Sequence, residues 1–122
     1  MANRILIVDD SPRFREMAAG LLAERGFDVL AAVEDGEQAL AAVGRECPDG
    51  ILLDINLPGP DGFAVAVSLA AACPAARIVL TSSDFARLPD GLLQDCAAAA
   101  FVAKEDLAAA NLDRLFRKPA GT

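Results

Sequence analysis

The chain has 122 residues, room for one domain with one core; 54% of them are apolar and only 5% aromatic, so the core is aliphatic and rich in alanine. Its formal net charge of −7, from 18 acidic and 11 basic residues, argues against a face for the nucleic-acid backbone. The absence of histidine excludes Ser-His-Asp and Cys-His catalysis and histidine-bearing zinc sites, while the acidic balance is compatible with a divalent metal or a basic protein partner.

Strand and helix patterns alternate with short breaks, the signature of a parallel sheet covered on both faces. The first strand is Arg4 to Val8. Ser11 is placed to cap the next helix, and Pro12 suits its first turn, where a missing N–H costs nothing. Phe14, Met17, Ala18, Leu21 and Leu22 then follow helical spacing, and Gly26 stops the helix. The second strand covers Asp28 to Val33, and Asp35-Gly36 turns the chain into a second helix with Ala39, Leu40 and Val43 on its inner face. Asp35 and Asp61 both read as helix caps.

The breaker Pro48-Asp49-Gly50 precedes a third strand, Ile51 to Leu53, and a loop dense in Pro58, Gly59, Pro60 and Gly62 follows it. The third helix runs from Phe63 to Ala72; its positions Ala64, Val67, Ser68 and Ala70 bear no charge, which reflects either the alanine-rich composition or a partner or second subunit, a homodimer, covering that face. Arg77 to Leu80 is the fourth strand, ending on Thr81-Ser82-Ser83. Pro89 and Gly91 interrupt the sequence of a fourth helix. Ala99 to Ala103 is a short fifth strand and Glu105 to Arg117 a last helix, after which residues 118–122 fray. With no repeat and no linker, residues 1–122 read as a single domain.

Cys47, Cys73 and Cys96 are odd in number and far apart, without metal-ligand spacing, which predicts free thiols in a reducing cytosol. The apolar run after Met1-Ala2-Asn3-Arg4 is too short for a signal-peptide core, and the uncharged stretch Ala64 to Ala76 is too short to span a bilayer. The expectation is a soluble, cytoplasmic protein.

Two of the apolar runs end on acid. Ile5-Leu6-Ile7-Val8 stops at Asp9-Asp10, and Ile51-Leu52-Leu53 stops at Asp54. In an open α/β sheet the rim at the strands' carboxyl ends is where ligands bind. Three carboxylates gathered there are costly unless a cation or a reaction requires them. Thr81 and Lys104 also fall at or just beyond strand ends, adding a hydroxyl and an ammonium to the same rim.

On these residues the chain resembles the receiver domain of the two-component response-regulator family. The matching pieces are Ile5 through Asp10, Leu53-Asp54-Ile55-Asn56-Leu57-Pro58-Gly59 through Asp61-Gly62, Val79-Leu80-Thr81, and Phe101-Val102-Ala103-Lys104, in the family's order over nearly the whole chain. The resemblance implies an α/β, flavodoxin-like, doubly wound five-stranded parallel sheet of order 2-1-3-4-5 with helices on both faces. It implies a phosphorylation-dependent signalling switch rather than a metabolic enzyme, one that catalyses only its own phosphorylation and dephosphorylation. Asp54 would accept the phosphoryl group from a histidine kinase or phosphotransfer protein. Asp10 would ligate Mg²⁺ directly, Asp9 chiefly through water, and Asn56 through its backbone carbonyl, with Asp54 completing the set. Thr81 would hydrogen-bond the phosphoryl group, Lys104 would pair with it, and Phe101 would change rotamer. The implied downstream partner is a separate protein or a fused output domain, with neither nucleic acid nor membrane bound directly.

The physics agrees with these roles. A carboxylate attacking a phosphoryl group meets negative charge, so positioning and cations matter more than a base. Mg²⁺ takes oxygen ligands, commonly one or two carboxylates with the phosphate. The chain also departs from the family: Glu105 follows Lys104, where a proline is frequent, and the segment between Thr81 and Lys104 is about one residue long by comparison. A haloacid-dehalogenase-like phosphatase is the rival reading, but that family needs a second aspartate where Asn56 stands, and there is no room for a cap. A degenerate receiver, acting only as a binding surface, is the third.

Overall fold

The computed structural model describes residues 3–56, 62–82 and 98–116. Its elements in order are β1 (Arg4–Val8), α1 (Pro12–Glu24), β2 (Asp28–Val33), α2 (Gly36–Arg45), β3 (Gly50–Asp54), α3 (Gly62–Ala72), β4 (Arg77–Ser82), β5 (Ala100–Ala103), a 3-10 helix (Lys104–Ala109) and α4 (Leu112–Phe116). The five strands form one sheet of order β2-β1-β3-β4-β5, every pairing parallel. The loop at 57–61, Ser83, the broken helix through Pro89, Cys96 and the 118–122 tail lie outside the described residues.

Local chemistry sets the helix starts. The Ser11 Oγ accepts from the Phe14 N–H at 3.2 Å with Pro12 in the first turn, and the Asp35 carboxylate accepts from the Gln38 N–H at 2.8 Å. Gly26, at φ 87°, takes the left-handed turn that ends α1.

The near-continuous apolar strands divide their side chains by parity. Leu6, Val8, Ile51, Leu53, Ile78 and Leu80 pack with α2 and α3 on one face. Ile5, Ile7, Leu52 and Val79 pack on the other, with Phe14, Ala18 and Leu22 of α1 and with Leu107, Leu112 and Phe116. Gly50 is required where the second layer closes: a Cβ there would stand 2.5 Å from the Phe116 ring and 2.9 Å from Ile5. The same parity decides where the polar strand ends point. Asp9 follows Ile5 and Ile7, Asp54 follows Leu52, and Thr81 follows Val79, so all three belong to the α1 face.

The structure corrects four expectations. Cys47 and Cys73 are joined in a disulfide, with Cα atoms 5.8 Å apart, not free. The two lie just beyond the ends of α2 and α3, which pack side by side, so their carboxyl-terminal loops converge although the residues are 26 apart in sequence. The last helix does not begin at Glu105. The chain runs as a 3-10 helix through Ala109, and α4 starts only after Asn111, whose side chain accepts from the Arg114 N–H at 3.1 Å as a capping residue. Leu40 and Met17, expected on inner faces, are 40% and 43% exposed; Ala42 takes the inner place on α2. Among the described residues no helix is long and apolar enough to cross a membrane.

Candidate functional site

Strand parity and register bring the predicted residues together. Asp54 stands opposite Thr81 in the β3–β4 pairing, Val8 stands opposite Leu53, and Thr81 stands opposite Val102, one step before the Ala103 that precedes Lys104. Asp9, Asp54 and Thr81 are buried, whereas Asp10 is exposed at the rim. Carboxylate oxygens of Asp9, Asp10 and Asp54 all lie within 4.8 Å of one another. Such a set of hard oxygen donors, with one member open to solvent, fits Mg²⁺.

Hydrogen bonds fix the acids. The Ser11 N–H donates to Asp9 Oδ1 at 2.9 Å, and the Arg15 guanidinium donates to the Asp9 carbonyl at 2.7 Å. The Asn56 N–H donates to Asp54 Oδ1 at 2.9 Å. Lys104 faces both acids, with Nζ 2.7 Å from Asp9 Oδ2 and 3.4 Å from Asp54 Oδ2. The ammonium therefore sits between the carboxylates of two different strands.

Electrostatics follow from burial. Desolvation pushes the Asp9 carboxyl above the ordinary carboxylate range, and the Asp54 charge adds to this against the opposing pull of Lys104 and of the Ser11 N–H. For Lys104 burial acts to lower the value. The hydrogen bond and charge of Asp9, together with the charge of Asp54, outweigh it and hold the ammonium more firmly than an ordinary lysine.

The Thr81 Oγ is buried and has no hydrogen-bond partner among the described residues. A buried hydroxyl without a partner is costly, so it is a donor awaiting an acceptor. The Asn56 amide donates to Ser82 Oγ at 2.8 Å, so the position where a phosphatase of the rival family needs an acid holds an engaged amide. Phe101 is apart from this group. It is half-buried, in register with Leu80, and packs against the α2–α3 layer on the opposite face.

Two neighbours of the site escaped the sequence reading. Phe14, expected only as core, stacks on Lys104, with Nζ 4.5 Å from the ring centroid. Arg15 had no sequence signal beyond standing one turn after the Ser11 cap.

The response regulator receiver domain family matches residues 5–112 of the chain. Chemotaxis protein CheY of Bacillus subtilis (strain 168) is 37% identical over 83 residues, covering 68% of this chain and 69% of that protein. DNA-binding response regulator MtrA of Mycolicibacterium smegmatis is 44% identical over 82 residues, covering 67% of this chain but only 36% of its own length. The chain thus spans about a third of that relative. Among solved structures, a LuxR-family two-component response regulator from Aurantimonas sp. SI85-9A1 superposes with a TM-score of 0.79 at 28% identity, over 93% of this chain and 81% of that one. With the sheet order and the acidic rim already in place, the match leaves one conclusion: this chain belongs to the response-regulator receiver-domain family, the phosphorylation-dependent signalling switches of two-component systems.

Proposed function

We propose that Asp54 is the phosphoacceptor of this receiver, taking its phosphoryl group from a histidine kinase or a phosphotransfer protein in the cytoplasm. One observation carries the reading: a buried strand-end carboxylate lies within 4.8 Å of two further acids and faces a lysine ammonium, in register with a buried threonine hydroxyl that has no hydrogen-bond partner among the described residues. An Asp54 oxygen forms the new bond to phosphorus while the bond to the donor's nitrogen breaks, leaving an acyl phosphate. The Asn56 N–H and the Lys104 ammonium orient the carboxylate for that attack.

Asp10, Asp9 through water, Asp54 and the Asn56 backbone carbonyl would hold Mg²⁺. When bound, the ion offsets the negative charge that otherwise keeps a phosphoryl group away from three acids. After transfer, Thr81 donates its hydroxyl to the phosphoryl oxygens and Lys104 pairs with them. Both contacts draw on β4 and β5 and so bias a two-state equilibrium at that edge of the sheet. Phe101, packed on the opposite face of β5, changes rotamer with it. The output partner, fused or separate, reads the shifted state.

Intact mass after incubation with Mg²⁺ and acetyl phosphate tests the assignment. Wild type gains one phosphoryl group and Asp54→Ala gains none; an adduct that survives in the variant removes Asp54 from its role.

A further inference from the structure

Lys104 reaches its place with little help from its own backbone. It opens the 3-10 helix, and Ala103 before it offers no side-chain cap. A lysine side chain has four rotatable bonds, and holding it in one geometry is entropically costly. Yet its side chain is only 16% exposed and its ammonium meets Asp9 and Asp54. Opposite these two carboxylates, α1 restricts it. The Ser11 cap pins the first turn through the Phe14 N–H, and the Phe14 ring, 8% exposed, lies under the ammonium at 4.5 Å from its centroid. Phe14, Asp54 and Lys104 line one cavity of about 580 Å³, with Asp10 also on its wall.

We propose that Phe14 is a positioning residue for phosphoryl transfer, holding the Lys104 ammonium at the Asp54 carboxylate through its aromatic face. The proposal rests on Lys104 pairing with the phosphoryl group. A desolvated cation over a ring is attracted by the ring's quadrupole. That attraction comes from a neutral group, so it restrains the ammonium without adding a competing negative charge. The carboxylates supply the opposite wall. When Asp54 becomes an acyl phosphate, the ammonium turns toward the new oxygens while the ring still borders it. An aliphatic side chain of similar size fills the same core space beside Ile7 and Ala18 but provides no such face.

The test uses Phe14→Leu, Phe14→Tyr and Lys104→Met, with Phe14→Met as a second aliphatic variant if the leucine protein folds poorly. In the metal-free protein, proton NMR reads the Lys104 ε-methylene. The expected ring-current displacement is upfield in wild type and in Phe14→Tyr and is lost in Phe14→Leu. With saturating Mg²⁺ and acetyl phosphate, Phe14→Leu labels roughly three- to tenfold more slowly than wild type and Phe14→Tyr restores the rate. In a Lys104→Met background the leucine substitution changes nothing further. The same loss with and without the ammonium, an unaltered rate in Phe14→Leu, or a Lys104 shift indifferent to the ring overturns the proposal. If wild type labels at an acid other than Asp54, the phosphoacceptor reading fails instead, and the NMR comparison alone decides the role of Phe14.

Discussion

At Asp9, Asp10 and Asp54 three carboxylates share a space that, among the described residues, the Lys104 ammonium enters directly. At an effective dielectric of ~20, two such charges 4–5 Å apart repel by roughly 3–4 kcal/mol, and solvent screening at an exposed member reduces this to about 1 kcal/mol. Asp10 is that exposed member. Asp10→Asn should therefore raise the metal-free melting temperature by about 4 °C while weakening Mg²⁺ binding; calorimetry with and without Mg²⁺ checks both, and an unchanged or lower metal-free melting point contradicts the strained cluster. Asp9 adds a pH dependence. Burial raises its folded-state pKa above the ordinary 3.8, so the stability it contributes is complete below that value and is lost as pH rises through the folded one. Lys104 is raised from 10.5, and its contribution is lost only at higher pH, outside this window. In chelator, the urea midpoint of Asp9→Asn minus that of wild type should thus increase from about pH 4 toward neutrality, whatever its constant offset. A difference that stays flat or falls with pH contradicts the raised carboxyl.

At the scale of elements, the sheet is organised by parity and the helices by their caps. The Cys47–Cys73 disulfide ties the loop after α2 to the end of α3, on the face opposite the acidic rim. Closing a loop of 26 residues stabilises by about 3.5 kcal/mol in the chain-entropy view. Reductant should accordingly lower the urea midpoint of wild type and leave Cys73→Ser, already lowered, unmoved; equal midpoints for oxidised and reduced wild type contradict the bond's contribution. Sequence spacing could not show this pair, because two thiols so far apart meet only through the packing of α2 on α3. The last helix departs from the span its sequence suggests for a similar reason. Glu105 to Ala110 has good helix formers, and only the buried positions Leu107, Leu112 and Phe116, with Asn111 as a cap, reveal that the periodicity restarts. Strand identities, by contrast, were legible, since β-branched and leucine runs bounded by glycine, proline and acid leave few alternatives.

Across the whole molecule, one sheet carries two layers, and the acids that end β1 and β3 fall on the α1 layer because each continues its strand's alternation. Asp9, Asp10, Asp54, Thr81 and Lys104 could be grouped from sequence alone because each falls at or just beyond the carboxyl end of a strand. A ring contributed by α1 could not, since helical spacing accounts for Phe14 fully as core. Asp54 at the centre of this rim is the claim on which the rest depends, and it is tested most directly by locating the phosphoryl group. Borohydride reduction of the protein labelled with acetyl phosphate, followed by peptide sequencing, should give homoserine at position 54, as expected of a reduced acyl phosphate there. Homoserine at another aspartate, or the five-carbon hydroxy amino acid at a glutamate, with aspartate retained at 54, would contradict the account.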